Sequence, residues 1–196
     1  MHFQKTQFIK SAAKLNQLVD ESVAEVAFAG RSNAGKSSAI NTIVGINGLA
    51  KTSKTPGRTQ LINFFEVQAH KYLVDLPGYG YAKVPEAVKR EWQHTLGQYL
   101  EQREVLKGLI LIIDIRHPMK DYDQQMLEWA IAYNLPTHVL LTKADKLSTN
   151  QARQTLFAFL KQIPEGAQVT AQTFSSLKKQ GVEEARAKIV GFLNES

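Results

Sequence analysis

The chain has 196 residues, 43% of them hydrophobic and 21% charged, with a net charge of +6 and no cysteine. That length fits one domain able to bury roughly 70% of its unfolded surface, and the lack of cysteine excludes disulfides, thiol catalysis, Cys-ligated zinc and prenylation. No apolar run approaches the ~20 residues of a membrane helix and the first residues lack a signal-peptide core, so a cytoplasmic protein without a membrane partner is expected. The basic excess fits equally a soluble, positively charged surface or a polyanion partner such as nucleic acid.

In chain order, residues 1–22 read as a lead-in segment packed on the domain edge, with Lys5, Lys10 and Lys14 among scattered apolar positions. Residues 23–29 are apolar and β-favouring, Gly30, Arg31, Ser32, Asn33, Ala34, Gly35, Lys36 and Ser37 spell G-x-x-x-x-G-K-S, and residues 38–44 suit a helix. Strand, this motif, then helix is the context of a phosphate-binding loop. Gly30 and Gly35 lack a Cβ, so the backbone can take positive φ there and turn its N–H groups toward an anion. The helix beginning near Lys36 adds its N-terminal partial charge. Lys36 can reach the β- and γ-phosphates, and the Ser37 hydroxyl can ligate Mg²⁺.

Residues 45–59 are rich in Gly, Ser, Thr and base and have no periodicity, which predicts a long loop of functional or mobile character. Residues 61–67 and 72–75 read as a hairpin, followed by a second flexible stretch over 77–81. Val88, Trp92, Leu96, Tyr99 and Leu100 fall at helical spacing and are expected in the core. Residues 109–113 form a near-continuous apolar run ending in Asp114, the pattern of a strand buried on both faces. Met126, Leu127, Ala130 and Ile131 mark a helix, 139–141 another buried strand, and Leu156, Phe159, Leu160 and Ile163 a further helix with Ser148 as N-cap. Residues 169–174 give the last strand, and Val182, Ala185, Ile189, Phe192 and Leu193 the closing helix. This alternation predicts an α/β fold, its mostly parallel sheet covered on both faces and its ligands gathered at the carboxyl ends of the strands.

Asp75, Leu76, Pro77 and Gly78 follow one such strand. The carboxylate can hold a Mg²⁺ shell through water and Gly78 can offer its N–H to a γ-phosphate, though a strand-end Asp opening a Pro-Gly turn is an equal alternative. Thr142, Lys143, Ala144 and Asp145 follow another strand. A carboxylate at Asp145 can accept both N1–H and the N2 amino group of guanine, whereas adenine presents an acceptor at N1. Leaving the charged group without its partner costs enough to discriminate roughly 10³-fold. The Lys143 stem can lie along the base. Phe174, Ser175 and Ser176 give a weaker signal, read as backbone and hydroxyl contacts to the base oxygen.

The set GRSNAGKS, DLPG, TKAD and FSS resembles a translation-factor-type GTPase domain. More narrowly, KTPGRTQLINFF at 54–65 and DLPGYGYAKV at 75–84 resemble the EngB family, also called YihA or YsxC, of bacterial GTP-binding proteins. The resemblance, over about residues 23–190, implies a Ras-like P-loop GTPase domain spanning 23–196 with a six-stranded sheet ringed by helices. It implies GTP and GDP binding with Mg²⁺ and a role in large ribosomal subunit assembly linked to cell division and septation. The nucleotide contacts it implies are Gly30, Arg31, Ser32, Asn33, Ala34, Gly35, Lys36, Ser37, Gly57, Arg58, Thr59, Gln60, Leu61, Asp75, Leu76, Pro77, Gly78, Thr142, Lys143, Ala144, Asp145, Phe174, Ser175 and Ser176. Mg²⁺ would be ligated by Ser37 and Thr59, with Asp75 acting through water. A hydroxyl at Thr59 in a mobile loop could close on the metal when γ-phosphate is present.

Two residues depart from better-known GTPases. Tyr79 stands where a Gln would orient the attacking water, so slow intrinsic hydrolysis is expected. Asn33 lies where related GTPases place a ligand for activating K⁺, a charge that could act beside Lys36 in catalysis; an Asn that merely stabilises its loop is the alternative. Arg31, Lys51, Lys54, Arg58 and Lys83 are candidate contacts to rRNA phosphates. A monomeric GTP-dependent switch contacting rRNA and ribosomal proteins is the leading expectation, and a metabolic P-loop phosphotransferase is the alternative.

Overall fold

The computed structural model describes residues 1–31, 33–51, 61–79 and 85–195. Among these residues are seven strands and five α-helices. The strands are β1 (Gln7–Ala12), β2 (Ala24–Gly30), β3 (Ile62–Gln68), β4 (Lys71–Asp75), β5 (Leu106–Asp114), β6 (Thr137–Thr142) and β7 (Val169–Thr173). The helices are α1 (Lys36–Val44), α2 (Glu86–Gln102), α3 (Asp121–Ala132), α4 (Thr149–Lys161) and α5 (Val182–Asn194). They build one sheet in the order β1-β3-β4-β2-β5-β6-β7. β2 pairs in parallel with β4 and β5, and β6 in parallel with β5 and β7; only the β1–β3 and β3–β4 pairs are antiparallel. The chain therefore leaves β2 toward one edge and later returns to its other side. This is the switch point beside which doubly wound sheets bind ligands.

The strand sequences explain the layering. All of β2 and β6 is buried, and the apolar residues of β2 and β5 alternate between two cores. Val26, Phe28, Ile110 and Ile112 pack with Ile40, Ile43, Ile189 and Leu193 of α1 and α5. Ala27, Ala29, Leu109, Leu111 and Ile113 pack with Leu96, Tyr99, Met126, Leu127 and Phe159 of α2, α3 and α4. Ser148 caps α4: its hydroxyl accepts from the Gln151 N–H while the Gln151 side chain accepts from the Ser148 N–H. Two expected core positions are not in the core. Val88 is 41% exposed in the first turn of α2, and Leu160 is 37% exposed on α4 because Phe159 takes the inward position.

The sheet has seven strands where six were expected. The extra one is β1, drawn from the lead-in segment, and it covers the open edge of β3. Its register shifts between Phe8 and Lys10, Phe8 and Ile9 stay exposed, and only Ala12 is buried. A strand with so little inward apolar content earns its place through backbone pairing with a distant segment. The hairpin expected between 61 and 75 is present as β3 and β4. Within the loop after α1, Ala50 is tied to Asn41 by two bonds, N–H to Oδ1 at 2.7 Å and carbonyl from Nδ2 at 2.9 Å.

Candidate functional site

The carboxyl ends of β2, β4, β5 and β6 meet at one rim. β2 runs straight into the Gly30–Ser37 motif and α1 begins at Lys36, capped by Gly35 with φ 91°. Only glycine takes that left-handed conformation without strain. Gly30 does not share it, contrary to expectation: it ends β2, and a Cβ there would lie 2.9 Å from the Ile112 carbonyl oxygen. Its constraint is closeness to β5. Asn33 has φ 70° and Ala34 donates its N–H to the Arg31 carbonyl at 3.1 Å, closing the turn. Ser32 lies outside the described residues.

Lys36 projects from the first turn of α1 and bonds Asp75, the last residue of β4; both side chains are nearly buried. Beyond Asp75 the chain follows β2. The Leu76 N–H donates to the Phe28 carbonyl at 3.0 Å and the Tyr79 N–H to the Gly30 carbonyl at 3.3 Å, so Gly78 is held alongside the motif. Leu76 and Pro77 are buried and Gly78 is half-buried. The Tyr79 side chain does not face the motif. It is buried between α2 and α3, its hydroxyl donating to Asp123 Oδ1 at 2.8 Å.

At the end of β6 the Thr142 hydroxyl sits within 2.6 Å of the Ala34 carbonyl and 3.1 Å of the Ile113 carbonyl. Lys143 has φ 60° and its Nζ donates to the Asn33 carbonyl at 2.7 Å, so its stem crosses above the motif. Ala144 and Phe174 bind the two loops together: the Ala144 N–H donates to the Phe174 carbonyl at 3.1 Å, and the Phe174 N–H to Leu141 at 2.9 Å. The Phe174 ring is core, fully buried among α1 and α5 residues, so only its backbone belongs to the rim. The Ser175 hydroxyl, read from sequence as a contact to a base, donates to Asp145 Oδ1 at 2.6 Å. That bond, against a small opposing effect of burial, lowers the Asp145 carboxyl below its ordinary value. Asp145 therefore stands at the rim as a fixed, ionised acceptor. Ser176 is half-buried beside it.

Asp114 was read only as the end of an apolar strand, yet it belongs to this cluster. Its carboxylate lies 3.3 Å from Lys143 Nζ and takes two bonds from the Arg116 guanidinium, at 3.1 and 2.9 Å. Burial pushes the Asp114 carboxyl up, but Arg116 and the Lys143 charge outweigh it and bring it down to about 2. The available signal was an acid closing a doubly buried strand at the carboxyl edge of the sheet. Asp123 and Tyr79, 44 positions apart, carried no such signal.

Of the remaining expected contacts, Leu61 is 37% exposed just before β3. Gly57, Arg58, Thr59 and Gln60 lie outside the described residues, as do Lys54 and Lys83. Lys51 is exposed, while Arg31 is half-buried. The donors present suit Mg²⁺: the Ser37 hydroxyl, next to the lysine that binds Asp75, and the Asp75 carboxylate are hard oxygens on one rim. No group of three or more His, Cys, Asp or Glu gathers among the described residues, so phosphate oxygens and water would complete such a shell. The Asn33 bond described here runs through its backbone carbonyl, which lends no support to a K⁺ site.

The chain is similar to several known proteins. A family model described as a 50S ribosome-binding GTPase matches residues 25–143. A probable GTP-binding protein EngB of Escherichia coli O157:H7 (strain EC4115) is 54% identical over 202 residues, spanning 100% of this chain and 93% of its own. This chain belongs to the EngB family of GTP-binding proteins. An EngB relative from Shigella boydii serotype 18 matches at the same 54% over the same extent. Among solved structures, a probable EngB shares the fold with a TM-score of 0.72 at 20% identity, over 88% of this chain and 100% of that one. Era in complex with MgGDPNP and nucleotides 1506–1542 of 16S ribosomal RNA gives 0.65 at 21% identity, over 89% of this chain and 58% of its own. The Ras-like fold is thereby shown. EngB is a family of GTP-binding GTPases, and membership of it displaces the phosphotransferase alternative.

Proposed function

We propose that the rim formed by Gly30–Ser37, Asp75–Gly78, Thr142–Asp145 and Phe174–Ser176 is the GTP site, and that Gly57–Leu61 completes it. The observation that carries this reading is Asp145, ionised and aimed by the Ser175 hydroxyl while Lys143 beside it crosses to the phosphate-loop motif. A carboxylate so fixed accepts two hydrogen bonds from guanine and none of that pattern from adenine. Lys36 and the first N–H groups of α1 would neutralise the phosphates. Ser37, Thr59 and, through water, Asp75 would hold Mg²⁺, which would supply positive charge to offset that of the phosphates. Tyr79 occupies a buried slot and offers no amide or carboxylate to orient water. Hydrolysis is accordingly slow without help from a partner.

The same reading extends to biology. The chain acts as a nucleotide-dependent switch in large ribosomal subunit assembly, linked to cell division and septation, as a cytoplasmic monomer. Its support is the ribosome-binding description of the matching family, the basic surface, and the ribosomal RNA held by its fold-mate Era. Two measurements test it. Guanine and adenine nucleotide affinities compared directly should differ by roughly 10³-fold; equal affinities would refute the assignment of Asp145. Co-sedimentation with large-subunit precursors should be stronger with a non-hydrolysable GTP analogue than with GDP; equal binding would refute the switch. The K⁺ expectation at Asn33 is separate, and identical single-turnover rates in KCl and NaCl would dismiss it.

A further inference from the structure

The side chain of Tyr79 enters a slot that nothing in the nucleotide chemistry requires. Its ring is 3% exposed, with the Trp92 ring of α2 at 6.1 Å and the Tyr122 ring of α3 at 6.0 Å between centroids. Its hydroxyl donates to Asp123 in the first turn of α3, and Asp123 is itself 2% exposed. Arg31, second residue of the phosphate-loop motif, pairs its backbone with Tyr79 and sends its charge toward the same carboxylate. Its buried Nε has no hydrogen-bond partner among the described residues. A phenol and a carboxylate from separate parts of the chain thus meet at the residue that follows Gly78, and the Arg31 charge acts on that carboxylate without forming an ion pair with it. Burying a carboxylate is costly even when it is hydrogen-bonded. Burial indeed pushes Asp123 up to about 6, against the opposing effects of the Tyr79 hydroxyl, the Arg31 charge and a backbone bond at Lys120. A group kept at that cost calls for a role.

We propose that Tyr79 and Asp123, backed by Arg31, form a latch that holds the Gly78 backbone beside the phosphate loop and so sets the preference for GTP over GDP. The reasoning is geometric. Gly78 is the residue whose N–H would meet a γ-phosphate, and no other phosphate of the nucleotide needs it. Its position is fixed on one side by the Tyr79 N–H on Gly30 and on the other by the ring anchored to α3. Loosening the ring frees the peptide and weakens the γ-phosphate contact alone, leaving Lys36 and the α1 amides to hold GDP as before. Tyr79 and Asp123 are positioning residues. The inference rests on the reading of 30–37 and 75–78 as the phosphate site.

The test is titration of the full chain with GDP and with a non-hydrolysable GTP analogue, alongside thermal melts. Tyr79→Phe and Asp123→Leu should each weaken the analogue about three- to tenfold, the range of one lost hydrogen bond, and change GDP less than twofold. The double variant should lose no more than either single one, because both break the same bond. Asp123→Asn keeps an acceptor for the Tyr79 hydroxyl and should retain the wild-type GTP-to-GDP ratio. In a Trp129→Phe background, Trp92 emission should differ between the two nucleotides, and Tyr79→Phe should shrink that difference. An unchanged ratio, or equal losses for both nucleotides in folded variants, would overturn the latch. Failure of the unaltered chain to bind either nucleotide would instead overturn the underlying site.

Discussion

The two ends of β2 place charged side chains in similar strand-to-helix settings and use them in opposite ways. At the amino end Glu25 is fully buried and every partner is protein: the Tyr99 hydroxyl at 2.7 Å and Arg103 Nη2 at 2.6 Å, with Arg103 also bonding the Val19 carbonyl at 2.6 Å. This network joins β2, the end of α2 and the segment before β2. At the carboxyl end the pairs are Lys36 with Asp75, Ser175 with Asp145, and Lys143 with Asp114. These sit on the rim proposed above as the GTP site, where a bound nucleotide would compete for each partner. A closed, buried network therefore marks architecture, and an open set of pairs marks a site. Residue type alone does not separate the two.

Breaking the closed network should have the largest effect. Glu25→Ala leaves the Arg103 guanidinium and Tyr99 hydroxyl without their acceptor, and denaturant unfolding should show a loss of about 3–5 kcal/mol. The folded fraction should bind GTP normally. At the other end the outcome reverses: Asp145→Ala should leave the melting curve nearly unchanged while GTP binding, followed calorimetrically, falls roughly 10²- to 10³-fold. Ser175→Ala sharpens the contrast further, because it removes only the hydroxyl that aims Asp145. A loss of about tenfold in GTP affinity is expected, near the worth of one charge-assisted bond.

A smaller effect separates the ends by pH. Asp123, near the rim, is raised to about 6, so its contribution favours folding below the ordinary carboxylate value and is lost as pH climbs through 6. His138, at the amino end of β6, is bonded to Thr170 at 2.7 Å and Gln172 at 2.8 Å. Burial lowers it to about 4, so its contribution is full above its ordinary value near 6.5 and is lost as pH falls toward 4. Between about pH 4 and 6 the two slopes oppose. Asp123→Asn removes one of them, and stability should then rise with pH by up to about 1.4 kcal/mol per unit across that window. A wild-type slope already that steep would contradict the cancellation.

What the chain disclosed before folding follows the same division. The phosphate-loop motif and the Thr142–Asp145 motif were legible because each is a short stretch whose spacing fixes its own geometry. The alternation of strands and helices was legible because burial on both faces writes long apolar runs, as in β5 and β6. β1 was not: its residues Gln7–Ala12 bury one alanine, and its partner β3 lies more than fifty positions away. Tyr79 and Asp123, like Glu25 and Arg103, meet only through tertiary packing across 44 and 78 positions. Lys143 at φ 60° shows the limit at a single residue, since nothing in a lysine announces a left-handed backbone. The positive φ expected of Gly30 is absent, and the nearness to Ile112 that constrains it cannot be read from its neighbours in sequence.

The Thr142 hydroxyl on the Ala34 carbonyl and the Lys143 ammonium on the Asn33 carbonyl bolt two loops into a single frame. Their amides should then exchange with deuterium as one cooperative unit, Ala34 and Ala144 opening together or not at all. Arriving ligand would meet a receptacle already assembled at that corner, with little ordering entropy left to surrender there.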